Sequence, residues 1–123
     1  MLLDNFYSIE SHTTDEATNT HLFGIKLNPN HCIYNGHFPQ RPVTPGVCSI
    51  QIIKECIEQV IGSELIIKQM AQCKMPSMIT PDQTPNLTLS LQIKESDEGF
   101  QASAKLSHLE TDCIIFKATL VKE

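Results

Sequence analysis

Residues 44–62 read TPGVCSIQIIKECIEQVIG, and they predict one long helix. Thr44 suits the N-cap, where its hydroxyl can accept a backbone N–H, and Pro45 suits the first helical position. Gly62 stands where a residue in the left-handed conformation commonly ends a helix. On a helical wheel at about 100° per residue, the apolar side chains between Pro45 and Gly62 span a wider arc than the apolar stripe of an ordinary surface helix. Such a helix has to be enclosed by something larger than one neighbouring helix.

A curved antiparallel sheet meets that requirement, and the flanking sequence predicts one. Residues 87–94 and 100–107 alternate between apolar and polar side chains, with a turn at 95–99 between them. Strict alternation indicates strands with one buried face, and short links indicate antiparallel neighbours. Further strands are predicted over residues 113–121, 65–74, 21–27 and 6–11. The order of two strands, a long helix and four strands predicts an α+β fold.

The composition is that of an ordinary globular domain. The 123 residues are 41% hydrophobic and 19% charged, and we expect a single domain over residues 1–123. A net charge of −5 argues against general binding of nucleic acid or anionic membranes, because both need a basic surface. The N-terminus has no secretory signal pattern, and no apolar run approaches the roughly 20 residues that cross a bilayer. The chain is therefore predicted to be soluble and cytoplasmic.

The cysteines and histidines do not predict a metal site. Five cysteines stand at positions 32, 48, 56, 73 and 113, and no two form a C-x-x-C pair. We interpret them as buried or half-buried thiols in a reducing compartment. His31 and His37 are six residues apart without a supporting acidic cluster, so no metal is expected.

The stretch that carries chemistry is residues 35–47, NGHFPQRPVTPGV. Its prolines fix φ and bar helix until Pro45, so His37 is predicted in a stiff loop that leads into the helix. Gly46 and Val47 offer backbone N–H groups in the first turn, where the helix dipole favours a developing negative oxygen. A histidine beside such an end suits removal of a proton next to a carbonyl, because the ordinary pKa of imidazole lies near neutrality.

This motif is similar to the signature of the bacterial 3-hydroxyacyl-(acyl carrier protein) dehydratases, G-H-F-P-x-x-P-x-x-P-G-V followed by a helix. The matching residues are Gly36-His37-Phe38-Pro39, Pro42 and Pro45-Gly46-Val47. Asn30 and Tyr34 approximate the family's approach to the motif, and residues 74–83 resemble its passage from a strand into a loop. The resemblance covers roughly residues 20–121.

The resemblance implies a hotdog fold, in which a curved antiparallel sheet wraps around the helix of residues 45–61. Two such domains would pair their sheets into a dimer, with each acyl tunnel along the interface. His37 would come from one subunit and the catalytic helix residue from the other. The substrate would be an acyl thioester on the phosphopantetheine arm of an acyl carrier protein. No resident cofactor is expected, because that arm arrives with the substrate.

The same resemblance implies roles for individual residues. His37 would be the base, and the Gly46 N–H would bind the thioester oxygen. The substrate would be contacted by Phe38, Pro45, Val47 and Arg41. Arg41 is the only arginine. Because acyl carrier proteins are acidic, Arg41, with Lys74, is also a candidate docking patch.

The helix departs from the family at one position. Where the family has an acid, four residues after the valine, this chain has Gln51, which can donate a hydrogen bond but not a proton. Losing a general acid typically removes about 10²–10⁴ of rate. Gln51 could orient the hydroxyl or a water while His37 shuttles the proton. Glu55, one turn on, could stand in, since the family often has E-x-x-x-Q here and this chain has Q-x-x-x-E. The chain could also be a weak or inactive member that pairs with an active partner.

A structural interpretation of this helix face also stays open. Gln51, Lys54, Glu55 and Glu58 share one side, and they could form a solvated stripe in which Lys54 and Glu58 pair.

Three functions follow from the resemblance. The first is dehydration of a 3-hydroxyacyl carrier thioester to the trans-2-enoyl thioester, by a homodimer or a heterodimer in a specialised pathway for lipid-like metabolites. The second is an accessory hotdog subunit of a dehydratase heterodimer. The third is an acyl thioesterase in which Gln51 activates water.

Overall fold

The computed structural model of the chain describes residues 6–28, 46–79 and 86–123. The elements in chain order are β1 (Tyr7–Asp15), β2 (Thr20–Leu27), α1 (Gly46–Ile61), β3 (Leu65–Lys74), β4 (Asn86–Ser96), β5 (Gly99–His108) and β6 (Thr111–Lys122). The predicted order of two strands, one long helix and four strands is confirmed. The first strand extends to Asp15, beyond its predicted end at residue 11.

The described strands form one antiparallel sheet in the order β1-β2-β4-β5-β6-β3. The alternation in β4 turns Leu89 and its apolar neighbours onto the buried face. Leu89 pairs with Phe23 of β2 on one side and with Leu106 of β5 on the other. These three side chains are fully buried, so one apolar row crosses three strands. Fully burying such a side chain contributes roughly 1.5–3 kcal/mol.

Helix α1 packs one side against this apolar face. Its buried residues are Cys48, Ser49, Ile52, Ile53, Cys56 and Ile57. Val47, on the opposite side of the first turn, is 76% exposed. The predicted packing of the helix on a curved antiparallel sheet is confirmed, and the sheet covers one side of α1.

Gly62 ends the helix as predicted. Its φ is +83°, and its N–H donates to the carbonyl of Glu58 at 2.7 Å. This is the left-handed C-terminal cap, which only glycine adopts without a steric penalty. The cap turns the chain directly into β3, which begins at Leu65.

The cysteines of the described ranges are free thiols, with Cys48, Cys56 and Cys113 buried and Cys73 half-buried. No helix within those ranges is long and apolar enough to cross a membrane. A six-stranded antiparallel sheet packed on one long helix is consistent with the hotdog fold.

Candidate active site

The predicted site residues divide into two groups. His37, Phe38, Arg41 and Pro45 lie outside the described residues. The second group is on α1 and consists of Gly46, Val47, Gln51 and Glu55.

Gly46 is the first residue of α1, so its N–H lies in the first turn, where a helix offers N–H groups without a helical acceptor. The side chain of Met75 lies over it. A Cβ added at Gly46 would stand 2.7 Å from Cε of Met75, which is closer than real contacts allow. A small cavity of about 90 Å³ opens beside this turn, lined in part by Met75, Met78 and Ile114. Among the residues that the structure describes, the start of the helix therefore faces mainly apolar side chains.

Gln51 and Glu55 are brought together on the half-buried side of α1. Nε2 of Gln51 donates a hydrogen bond of 2.9 Å to Oε2 of Glu55. The two residues are one turn apart, which puts their side chains on the same face. The two candidates that the sequence offered for the acid position are therefore parts of one hydrogen-bonded unit.

Tyr7 of β1 completes this unit. Its hydroxyl donates a hydrogen bond of 2.8 Å to Oε1 of Glu55, so each carboxylate oxygen accepts a hydrogen bond. The ring is 4% exposed. Burial, followed by the hydrogen bond to Glu55, raises the pKa of the Tyr7 hydroxyl above its ordinary value. Tyr7 is therefore a phenol, and a donor, throughout the physiological range.

Tyr7 was not among the site residues predicted from the sequence. Its signal was present, since Tyr7 and Ile9 alternate with Ser8 and Glu10 and thus share the buried face of β1. The alternation predicts which face of β1 Tyr7 occupies. It cannot predict the contact with Glu55, which lies 48 positions further along the chain. A buried tyrosine hydroxyl usually requires a partner, and the sequence offers several.

The polar side of α1 lines an open cleft of about 530 Å³, whose other walls include Tyr7 and Ile9 of β1 and residues 62–64. Among the described residues, the acidic side chains of its lining are Glu55, Glu58, Glu64 and Glu123, and the basic one is Lys54. The hydrogen bond and charge of Glu64 raise the pKa of the Glu123 carboxyl. The described part of the lining is thus negatively charged.

Lys54 and Glu58, the other polar residues of this helix face, stabilise the C-terminal end of α1. Nζ of Lys54 lies 3.6 Å from Oε2 of Glu58, so the predicted i,i+4 pair is present. The same oxygen accepts the backbone N–H of Leu65 at 2.8 Å, which ties α1 to the start of β3. Gln51, Lys54, Glu55 and Glu58 are all half-buried. The face is therefore an ordered, internally bonded surface rather than a simply solvated stripe.

Chemically, this arrangement is suited to holding a polar group. The Gln51 amide has one N–H committed to Glu55, and it retains its carbonyl oxygen and a second N–H for another partner. The unit can therefore orient a hydroxyl or a water.

Comparison with known proteins places the chain in a family. Residues 12–112 match the model of the ApeI-like family, which is described as ApeI dehydratase. A comparison with curated proteins gave no match.

Solved structures share the fold. The dehydratase heterocomplex ApeI:P from Xenorhabdus doucetiae has a TM-score of 0.71 at 17% identity, over 94% of this chain and 97% of that chain. An uncharacterized protein from Erwinia carotovora subsp. atroseptica has a TM-score of 0.64 at 20% identity, over 95% of each chain. The dehydratase domain of the polyketide PpsC from Mycobacterium tuberculosis has a TM-score of 0.61 at 16% identity, over 94% of this chain and 43% of that chain.

At these identities the structural likeness concerns the fold. The family model spans residues 12–112 of 123, which is most of the chain. This chain belongs to the ApeI-like family of dehydratases.

Proposed function

We propose that this protein dehydrates a 3-hydroxyacyl thioester, carried on an acyl carrier protein, to the trans-2-enoyl thioester. The observation that carries the proposal, beside the family, is the Gln51 amide, held by Glu55 on a half-buried helix face that lines a cleft. A fixed amide at the family's acid position is suited to orienting the hydroxyl that leaves. The 123 residues would form one hotdog domain.

In this mechanism His37 is the base and Gly46 binds the oxygen. The imidazole removes a proton from C2 of the substrate, and the electrons move toward the thioester carbonyl, whose oxygen accepts the Gly46 N–H. The C2–C3 double bond then forms as the C3–O bond breaks. The departing hydroxyl takes the proton from the imidazolium and leaves as water, so the base is regenerated without a second acid.

Gln51 rather than Glu55 is assigned to the hydroxyl. Both oxygens of Glu55 accept hydrogen bonds, from Tyr7 and from Gln51, so both are already engaged within the protein. Glu55 therefore supports Gln51, and the proton that completes water comes from His37.

The charge of the cleft bears on how the substrate arrives. The lining residues that the structure describes include four glutamates and one lysine, Lys54, so a phosphopantetheine phosphate would be repelled there. The carrier would therefore approach from another side. The candidate docking patch of Arg41 and Lys74 supplies positive charge, and Lys74 is exposed at the end of β3.

A dimer is expected through β3. Among the described strands, β1 and β3 lie at the two edges of the sheet. The exposed side chains at the start of β1 include Ser8, Glu10 and His12, which are polar. β3 instead exposes Ile66 to 48% and Met70 to 41%. An unpaired edge with exposed apolar side chains favours pairing with another chain.

A second candidate function is an accessory subunit of a heterodimeric dehydratase. The ApeI:P neighbour is a dehydratase heterocomplex by its own description. Gln51 at the family's acid position is compatible with a chain that supplies one half of a shared site. In that case His37 or Gln51 of this chain would work with a residue of a different hotdog chain.

The test is turnover of 3-hydroxybutyryl and crotonyl carrier thioesters by the purified protein, with hydration and thioester cleavage followed separately. Wild type is compared with His37→Ala, Glu55→Gln and the control His12→Ala, which removes an exposed histidine of β1. Hydration that His37→Ala abolishes and His12→Ala retains supports the proposal.

Other outcomes separate the alternatives. No turnover by the pure protein, restored by a second hotdog chain, would establish the accessory role. Cleavage without hydration would establish a thioesterase and overturn both.

A further inference from the structure

We infer that Tyr7 is a positioning residue for the dehydration site. Through Glu55 it fixes the amide of Gln51 so that Oε1 of Gln51 is presented to the hydroxyl of the substrate. The inference rests on the proposed function for the identity of that hydroxyl. Its geometric basis is a continuous chain of hydrogen bonds, from the Tyr7 hydroxyl to Oε1 of Glu55 at 2.8 Å and from Nε2 of Gln51 to Oε2 of Glu55 at 2.9 Å.

The first step is that Tyr7 is held firmly. It is 4% exposed, and it lies in β1 opposite Leu27 of β2. Its ring packs edge-on against Phe6, with the centroids 6.5 Å apart and the planes at 78°. A side chain fixed by the sheet gives Glu55 a donor whose position does not depend on α1. Glu55 is thereby anchored to a second element of the fold.

The second step is that Glu55 determines which way the Gln51 amide faces. An ionised carboxylate accepts hydrogen bonds and donates none, whereas an amide has one accepting and one donating end. The NH₂ end of Gln51 must therefore face Glu55, and the carbonyl oxygen must face away from it. By donating to Oε1 of Glu55, the Tyr7 hydroxyl holds the carboxylate in place, so that Oε2 stays in position to accept from the amide.

The orientation of the Gln51 amide determines which hydrogen bond it makes with the substrate hydroxyl. The substrate hydroxyl donates its O–H to Oε1 of Gln51, which leaves a lone pair of the hydroxyl oxygen free to receive the proton from His37. The reverse amide orientation would donate to that lone pair and compete with the proton. Tyr7 thus acts on catalysis without touching the substrate.

The experiment compares wild type with Tyr7→Phe, Gln51→Ala and the double variant in dehydration of a 3-hydroxyacyl carrier thioester. Tyr7→Phe keeps the ring and removes only the hydroxyl. We expect kcat to fall about tenfold with KM nearly unchanged, as for the loss of one buried hydrogen bond. In the Gln51→Ala background the same change should have almost no further effect on kcat, since the amide it orients is gone.

A merely structural role predicts a different pattern. It would lower kcat by the same factor in both backgrounds, in parallel with a loss of stability in urea, and this outcome would overturn the inference. Thr88→Val, which removes an exposed hydroxyl from β4, is the control and should leave kcat unchanged.

A second readout does not depend on turnover. The side-chain ¹H–¹⁵N resonances of Gln51, identified by their loss in Gln51→Glu, should shift in Tyr7→Phe and stay in place in Thr88→Val. Unmoved resonances in Tyr7→Phe would also overturn the inference. If the wild-type protein has no dehydratase activity, alone or with a partner chain, the proposed function is wrong. If the wild type is active and Tyr7→Phe is equally active, only the role of Tyr7 is wrong.

Discussion

Gln51 and Glu55, one helical turn apart, are joined by a hydrogen bond of 2.9 Å from the Gln51 amide nitrogen to the Glu55 carboxylate. At the position where the resemblance to the carrier-protein dehydratases implies an acid, this chain therefore has an amide that is hydrogen-bonded to a carboxylate one turn further on.

Gln51→Glu is expected to increase dehydration about tenfold or more at pH 6–7, because it restores a general acid. The new carboxyl would lie within hydrogen-bond distance of Glu55, where two carboxylates cannot both ionise, so the pair would hold a proton near neutrality. The measurement is the pH profile of crotonyl thioester hydration. Gln101→Glu, which adds the same charge at an exposed position of β5, is the control and should leave the rate unchanged. A folded Gln51→Glu protein with no gain at any pH would contradict this.

Ile66→Lys is expected to give a monomer, because it puts a charge on the exposed edge of β3 where we propose that two chains pair. Sedimentation velocity over a range of concentrations measures the change. Leu109→Lys is the matched control, since Leu109 is 85% exposed but lies in the turn between β5 and β6. Dimers that persist in Ile66→Lys, or that are lost equally in Leu109→Lys, would show that the interface lies elsewhere.

Gly99→Ala is expected to destabilise the protein by about 3 kcal/mol or more, as for a residue that combines backbone strain with a steric clash. Its φ is +127°, and an added Cβ would overlap the carbonyl oxygen of Leu120. Gly62→Ala should cost only about 1 kcal/mol, because its φ of +83° is unfavourable but the added Cβ meets open space. Urea unfolding of both variants checks the difference. Equal losses would mean that the clash at Gly99 is relieved by a small shift.

Stability is expected to fall as the pH rises above about 9, in part because of Cys56. Burial, followed by the charge of Glu55, raises the pKa of this thiol to about 12. A pKa raised in the folded state contributes stability that is complete below the ordinary thiol value and is lost as the pH rises toward the folded value.

The slope from this one group approaches about 1.4 kcal/mol per pH unit. Cys56→Ala should reduce the slope between pH 9 and pH 10.5 in urea unfolding under reducing conditions, whereas the half-buried Cys73→Ala should retain it. The same slope in Cys56→Ala as in wild type would count against the buried thiol as its source.

Much of the fold followed from periodicity. The alternation in β4 and β5 and the apolar helix before Gly62 predicted the elements and their order, because the period of two and the period of 3.6 are set by backbone geometry alone. Which side of α1 the sheet covers did not follow from composition. Val47 is exposed in the described structure, because the apolar content of a helix does not specify which of its sides packs on the sheet.

The candidate site was likewise predictable only in part. The sequence by itself determined the motif around His37, the helix that begins after it, and the placement of Gln51 and Glu55 on one face, because these depend on local spacing. Only the tertiary structure decided that Tyr7, 48 positions before Glu55, donates to its carboxylate. That contact requires β1 to pair with β2 in a particular register and α1 to pack on the sheet at a particular height, and both result from the side-chain packing of the whole core.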